Sequence, residues 1–122
     1  MQDIRDAMKQ TNRIFEEAIA SGDMDRLADV YTTDARLLPP GAPMVEGRAA
    51  IRQFWSVAIE AMGVKSCSLR TLHADAAADH VIEIGEVHIE MAGGHALAKY
   101  VVYWKPQDGR WKWHLDIWNQ SA

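Results

Sequence analysis

Two runs dense in aromatic and β-branched residues close the chain, K-Y-V-V-Y-W-K and W-K-W-H-L-D-I-W-N, and they flank the turn Pro106-Gln107-Asp108-Gly109. Such runs favour a pleated, half-buried strand, and Asp-Gly between them is a strong local hairpin signal. The stretch predicts a β-hairpin pairing residues 99–105 with residues 111–119. A two-residue Asp108-Gly109 loop is compatible with it. The expected form is a three-residue loop, Gln107-Asp108-Gly109, with Gly109 in the left-handed region as a bulge. Register matters because a slip of one residue moves every side chain to the other face. The expected register sets Trp104 opposite Lys112, Val102 opposite His114, Tyr100 opposite Asp116 and Ala98 opposite Trp118. One face would then mix aromatics with His114 and Asp116, which suits a pocket better than a plain core.

Upstream, residues 3–20 carry Ile4, Met8, Phe15, Ala18 and Ile19 at helical spacing. Gly22 is placed to end that helix, and Asp23 to cap a second over residues 24–31. A turn at Thr33-Asp34 leads to a short strand over residues 35–38, stopped by Pro39-Pro40-Gly41. A third helix spans 48–62, with Ile51, Phe54, Trp55, Ala58 and Ile59 as its apolar stripe, and Gly63 closes it. The remainder reads as strands: 65–76, 80–91 and the closing hairpin, with a primed turn at Gly93-Gly94. Pairing Ala92 with His95 would set Glu83 opposite Trp104 and on the face of Tyr100, His114 and Asp116. Helices followed by a meander of long strands define an α+β fold of one domain, residues 1–122.

The totals exclude several classes. A formal net charge of −4 without any basic cluster argues against nucleic acid. Cys67 is the only cysteine, so no intrachain disulfide forms, and a reducing cytoplasm is the expected location. No apolar run approaches the ~20 residues of a membrane span. His73, His80, His88, His95 and His114 stand on separate strands or too far apart to share an ion, so no metal site is expected. Gly93-Gly94 precedes a strand, not a helix, and is no phosphate loop.

Three segments, F-E-E-A-I-A-S-G-D-M-D-R-L-A-D-V-Y-T-T-D-A-R-L-L-P-P-G (15–41), E-G-R-A-A-I-R-Q-F-W (46–55) and the terminal D-G-R-W-K-W-H-L-D-I-W-N, resemble the SnoaL-like and ketosteroid-isomerase-like group of the nuclear-transport-factor-2-like, or cystatin-like, superfamily. The resemblance is closest to members ending in D-I-W-N. It implies a curved antiparallel sheet wrapping three N-terminal helices around a cone-shaped pocket, and a homodimer through the sheet. The steroid isomerase of this group uses an Asp base and an oxyanion hole of a Tyr and a protonated Asp. Those positions fall here at Pro39, Phe15 and Val101 or Val102, so that mechanism is not expected. Trp55 matches a pocket aromatic of the family. The kinase association domains of the same fold share a D-G-basic-W turn, but their pocket arginines give way to Trp118.

Glu83, His114 and Asp116 are the titratable trio expected on one sheet face. A half-buried carboxyl beside an imidazole can take and return a proton. The alternative for all three is a satisfied structural network. Phe15, Tyr31, Arg36, Trp55, Tyr100, Trp104 and Trp118 are the candidate ligand contacts. Tyr31 could instead pack in the core, and Arg36 could pair with Asp34 or Glu46. Met44, Met62 and Met91 could line an adaptable wall. The functional expectation is binding of a small apolar or aromatic molecule, with cofactor-independent acid–base isomerisation, cyclisation or dehydration. A non-catalytic binding or dimerisation module is the alternative.

Overall fold

A computed structural model describes residues 4–121. The order of elements is α1 (Ile4–Ser21), α2 (Met24–Ala28), β1 (Tyr31–Leu38), β2 (Val45–Glu46), α3 (Arg48–Met62), β3 (Val64–Ala76), β4 (Val81–Met91), β5 (Gly94–Gln107) and β6 (Arg110–Gln120). The expected helical position at residue 3 lies outside the described residues. The strands form one curved, open sheet in the order β2-β1-β6-β5-β4-β3. β1 runs parallel to β6 while the other neighbours are antiparallel, so the sheet is mixed, not purely antiparallel as expected. The short strand β2 was not foreseen. It pairs Arg36 with Glu46 and Leu37 with Val45 beyond the proline turn.

The helices form where apolar spacing and caps require. In α1 the buried positions are Met8, Asn12, Phe15, Ala18 and Ile19. α2 is capped by the Asp23 carboxylate, which accepts from Arg26 N at 3.1 Å. It stops at Ala28, three residues short of expectation, because Tyr31 already opens β1. Gly63 takes a φ of 62° and closes α3, donating its N–H to Ile59 and Glu60 carbonyls. α1 lies against β3 and β6, and α3 against β1, β2 and β3. The core therefore sits between these helices and one face of the sheet.

Both hairpin registers differ from expectation, and the differences decide the site. The last turn holds two residues, not three: Gln107 pairs with Arg110, and Asp108 and Gly109 have φ of 54° and 76°. Two consecutive positive φ values are the primed geometry that matches strand twist, and Asp tolerates it. Gln107 is held at the end of its strand by Thr33, whose N–H donates to Oε1 at 3.0 Å. Trp104 consequently faces Trp113, one position beyond the expected Lys112. A register shift follows between Tyr103 and Trp104, so that Tyr103 faces Leu115, Val102 faces Asp116 and Tyr100 faces Trp118. His114 is the extra residue of this bulge. The single-position change at the turn and the bulge add up to two, which returns Asp116 and Trp118 to the face of Tyr100. At the other turn Met91 pairs with Gly94, again two positions from expectation. Glu83 therefore lies opposite Val102, and Gly85 opposite Tyr100. A Cβ on Gly85 would meet the Tyr100 ring at 2.3 Å, so this glycine gives the ring its bed.

Candidate ligand cavity

Between α1, α3 and the inner face of the sheet lies a half-open cavity of about 100 Å³. Phe15, Trp55, Trp113, Trp118 and Tyr100 contribute aromatic walls, and Asp116 is the one carboxyl on its lining. Trp55 stacks on Trp118, with centroids 5.3 Å apart and planes at 17°. Phe15 lies 4.6 Å from Trp113. This aromatic wall combines two helices with the bulged strand β6.

Asp116 is 4% exposed. Its Oδ2 accepts a hydrogen bond from the Tyr31 hydroxyl at 2.7 Å. The Tyr31 oxygen accepts in turn from Trp55 Nε1 at 3.1 Å, which leaves its proton directed at Asp116. No described residue donates to Oδ1. No side-chain oxygen among the described residues is both sealed and unpartnered, so Oδ1 opens toward the cavity. Burial pushes the Asp116 carboxyl up to about 7; the Tyr31 hydrogen bond works against this, and the neighbouring Glu83 adds to it. Burial, then Asp116, hold the Tyr31 hydroxyl well above the usual phenol range, so it remains a donor. Cys67 also lines the cavity, and burial pushes its thiol up to about 12, which makes it a poor nucleophile.

Glu83 lies behind this wall, fully buried. Its Oε2 accepts from the Tyr100 hydroxyl at 2.6 Å, Thr71 Oγ1 at 2.7 Å and Asn12 Nδ2 at 3.3 Å. Its Oε1 accepts from Trp104 Nε1 at 3.0 Å. Three of these partners meet at Oε2 and one at Oε1, so both oxygens are engaged. Asn12 also accepts from Trp113 Nε1 at 3.2 Å, tying α1 to the sheet. This network fixes Tyr100 and Trp113, two of the cavity walls, and Glu83 itself is not on the lining.

Of the expected trio, Glu83 and Asp116 share the inner face and His114 does not. As the bulge residue, His114 sits beside Thr32, with Nδ1 2.8 Å from Oγ1, and near Tyr103 on the outer face. Burial lowers its affinity for a proton despite Asp34 nearby. Among the expected ligand contacts, Phe15, Trp55, Tyr100 and Trp118 line the cavity. Tyr31 and Trp104 stand behind the lining: Tyr31 bonds Asp116 and Trp55, and Trp104 packs edge-on against Trp113 and donates to Glu83. Arg36 is away from it, on β1 beside the edge strand β2, 4.0 Å from Glu46. Met62 lines the cavity, whereas Met44 is exposed. Asn12 and Trp113 were missed. A polar residue in the middle of the α1 stripe was the available signal for Asn12. Among the described residues no group of His, Cys, Asp and Glu could hold a metal ion.

A mixed sheet wrapped around helices with a cavity between them is the cystatin-like, nuclear-transport-factor-2-like architecture. Solved structures of that class superpose over most of the chain. A ketosteroid isomerase-like protein from Erwinia carotovora atroseptica matches with a TM-score of 0.81 at 12% identity, covering 100% of this chain and 99% of the other. A cystatin-like protein from Nostoc punctiforme matches at 0.80 and 12%, covering 97% and 91%. An NTF-2-like protein from Shewanella oneidensis matches at 0.78 and 15%, covering 93% and 97%. Identities this low establish the fold alone. Residues 12–114 match the SnoaL-like domain, and the chain belongs to that family. No curated protein matches it significantly.

Proposed function

We propose that this SnoaL-like protein binds a small, largely apolar or aromatic molecule in the cavity and moves a proton on it with Asp116. The observation that carries the reading is the open Oδ1 of a buried carboxyl at the wall of an otherwise apolar cavity. A carboxyl titrating near neutrality can both accept and return a proton, which general acid–base catalysis requires. Tyr31, itself oriented by Trp55, holds its other oxygen, so the ligand meets one oriented atom. Isomerisation, cyclisation and dehydration need only such a shuttle, and the reading invokes no cofactor. Glu83 serves as the anchor of the walls, and His114 has no part in the proton step. Pro39 and Phe15 stand where the steroid isomerases carry their base and tyrosine, so Asp116 would act from a different strand position.

The test is a thermal-shift screen of flat apolar molecules, followed by turnover and solvent-deuterium incorporation assays on the hits. Asp116→Asn should retain binding of neutral hits and lose proton exchange. Hits bound and unchanged, with no deuterium incorporated by the natural protein, would reduce the reading to a binding module.

A homodimer through the outer sheet face accompanies this proposal. Ile84, Val101 and Ile117 lie in register across three strands and are 43%, 40% and 41% exposed, with Ile82 beside them. A row of exposed aliphatic side chains on a sheet face marks a contact surface. Light scattering should give twice the chain mass, and Ile84→Asp should return it to one chain. A monomer at high concentration would refute this. No helix among the described residues is long and apolar enough to cross a membrane.

A further inference from the structure

The polar inventory around the cavity restricts its ligand further. Two buried acidic side chains face this region, Asp116 on the lining and Glu83 behind it. None of the ion pairs between described residues includes either one. Every donor that reaches them is neutral: Tyr31 for Asp116, and Tyr100, Thr71, Asn12 and Trp104 for Glu83. The facing titratable groups are Glu16 on α1, Tyr31 on β1, Cys67 on β3, Glu83 on β4 and Tyr100 on β5, and none of them can carry a positive charge. α1 presents Phe15 and Asn12, and α3 presents Phe54 and Trp55. The hydrogen-bonding groups are already committed in most cases: Trp55 Nε1 to Tyr31, Trp113 Nε1 to Asn12, and the Tyr100 hydroxyl to Glu83. What remains is one carboxyl oxygen, 96% removed from solvent as part of its residue and surrounded by ring systems, together with the Trp118 indole N–H and the weakly donating Cys67 thiol.

Aromatic walls attract a cation through the ring quadrupole, and a buried carboxylate without a counter-charge gains most from one. The same surroundings repel anions and offer a ligand carbonyl only the Trp118 N–H and the Cys67 thiol to accept from. We infer that the cavity takes a monocationic amine with an apolar or aromatic body, its N–H donating to Asp116 Oδ1 and its hydrocarbon part lying against Trp55, Trp113 and Trp118. The ligand's charge would supply the counter-ion that the interior lacks. A cation at that position also keeps Asp116 ionised, the form that a proton-abstracting base requires. The volume is of the order of a site for one ring, since a cavity of about 150 Å³ holds benzene. The open side lets a larger body extend outward. This inference rests on the cavity being the ligand site.

The experiment compares benzylamine, benzyl alcohol and benzoate, matched in size and differing in charge. Binding is followed calorimetrically and by the fluorescence of the wall tryptophans. Benzylamine is expected to bind about tenfold or more tightly than either of the others, and Asp116→Asn to remove that preference. A second readout needs no variant. Between about pH 5.5 and about pH 8.5 the amine keeps its charge while Asp116 loses its proton, so its affinity should rise about thirtyfold, given a carboxyl near 7. Benzyl alcohol bound as tightly as benzylamine, or an amine affinity that is flat with pH or unchanged by Asp116→Asn, would overturn the inference and leave the Asp116 cavity reading standing. Failure of all three probes to bind would overturn both.

Discussion

Replacing Asp116 by Asn should stabilise this protein at alkaline pH and do much less at acid pH. The carboxyl is buried against Phe15, Trp113 and Trp118, and its one protein donor is Tyr31. Its folded-state value of about 7 lies above that of an exposed Asp. A group raised on folding stabilises the fold fully below its unfolded value, and that contribution is lost as pH climbs to the folded one. With the unfolded Asp near ~3.9, the window runs from about pH 4 to about pH 7, and the full loss is about 4 kcal/mol. Between about pH 5 and about pH 8 the natural protein should lose about 2.5 kcal/mol through this residue alone. Asn has no charge to bury and keeps an oxygen that can accept from Tyr31. Urea unfolding of both proteins at the two pH values measures the difference, with the midpoint slopes checked for two-state behaviour. Equal pH dependence in the natural protein and the variant would refute the reasoning, because it would mean Asp116 is not the group that resists ionisation.

Four further outcomes follow from single positions. Tyr31→Phe removes the donor to Asp116 and leaves Trp55 Nε1 without its acceptor; it should cost about 1–3 kcal/mol in chemical denaturation and raise the Asp116 titration seen by carbon NMR. Gly85→Ala should cost about 2–4 kcal/mol, since its Cβ would displace the Tyr100 ring and with it the hydrogen bond to Glu83. Gly93→Ala, with open space around it, should stay within about 0.5 kcal/mol in the same denaturation series. Gly109→Ala should cost about 1 kcal/mol in thermal unfolding, because φ at this position is +76°.

The buried carboxylates show how a fold can keep one acid inert and another available. Glu83 is surrounded by four donors that consume its oxygens. Asp116 has one donor and an opening. The difference lies in neighbouring strands: Thr71 and Tyr100 flank Glu83 on β3 and β5, whereas β6 puts Asp116 beside β1, where Tyr31 is its one protein donor. Burial without compensation then sets the Asp116 titration.

Much of the architecture is written in local patterns. The apolar spacing of residues 48–62 and the glycine after it delimit α3 without reference to anything else. Asp108-Gly109 marks the last hairpin for the same reason, since its backbone demands are met within four residues. Alternation then assigns Tyr100, Asp116 and Trp118 to one face, and they stand there around the cavity.

Other features have no local cause. The bulge at His114 arises where β6, still paired with β5, also meets β1 on its other edge; Trp113 N–H donates to the Val30 carbonyl, and the parallel pairing shifts between Tyr31 and Arg36. That meeting brings together residues some eighty positions apart, so no window of sequence contains it. It moves His114 to the outer face, brings Trp113 inward, and turns Tyr31 from the expected end of a helix into the donor to Asp116. Asn12 likewise gains its meaning only when α1 crosses β4 and β6. Backbone preference and hydrophobic period act over a few residues and were readable from the chain. The register at a bulge, and the donors available to a buried acid, depend on which distant strands dock, and only the tertiary structure decides that.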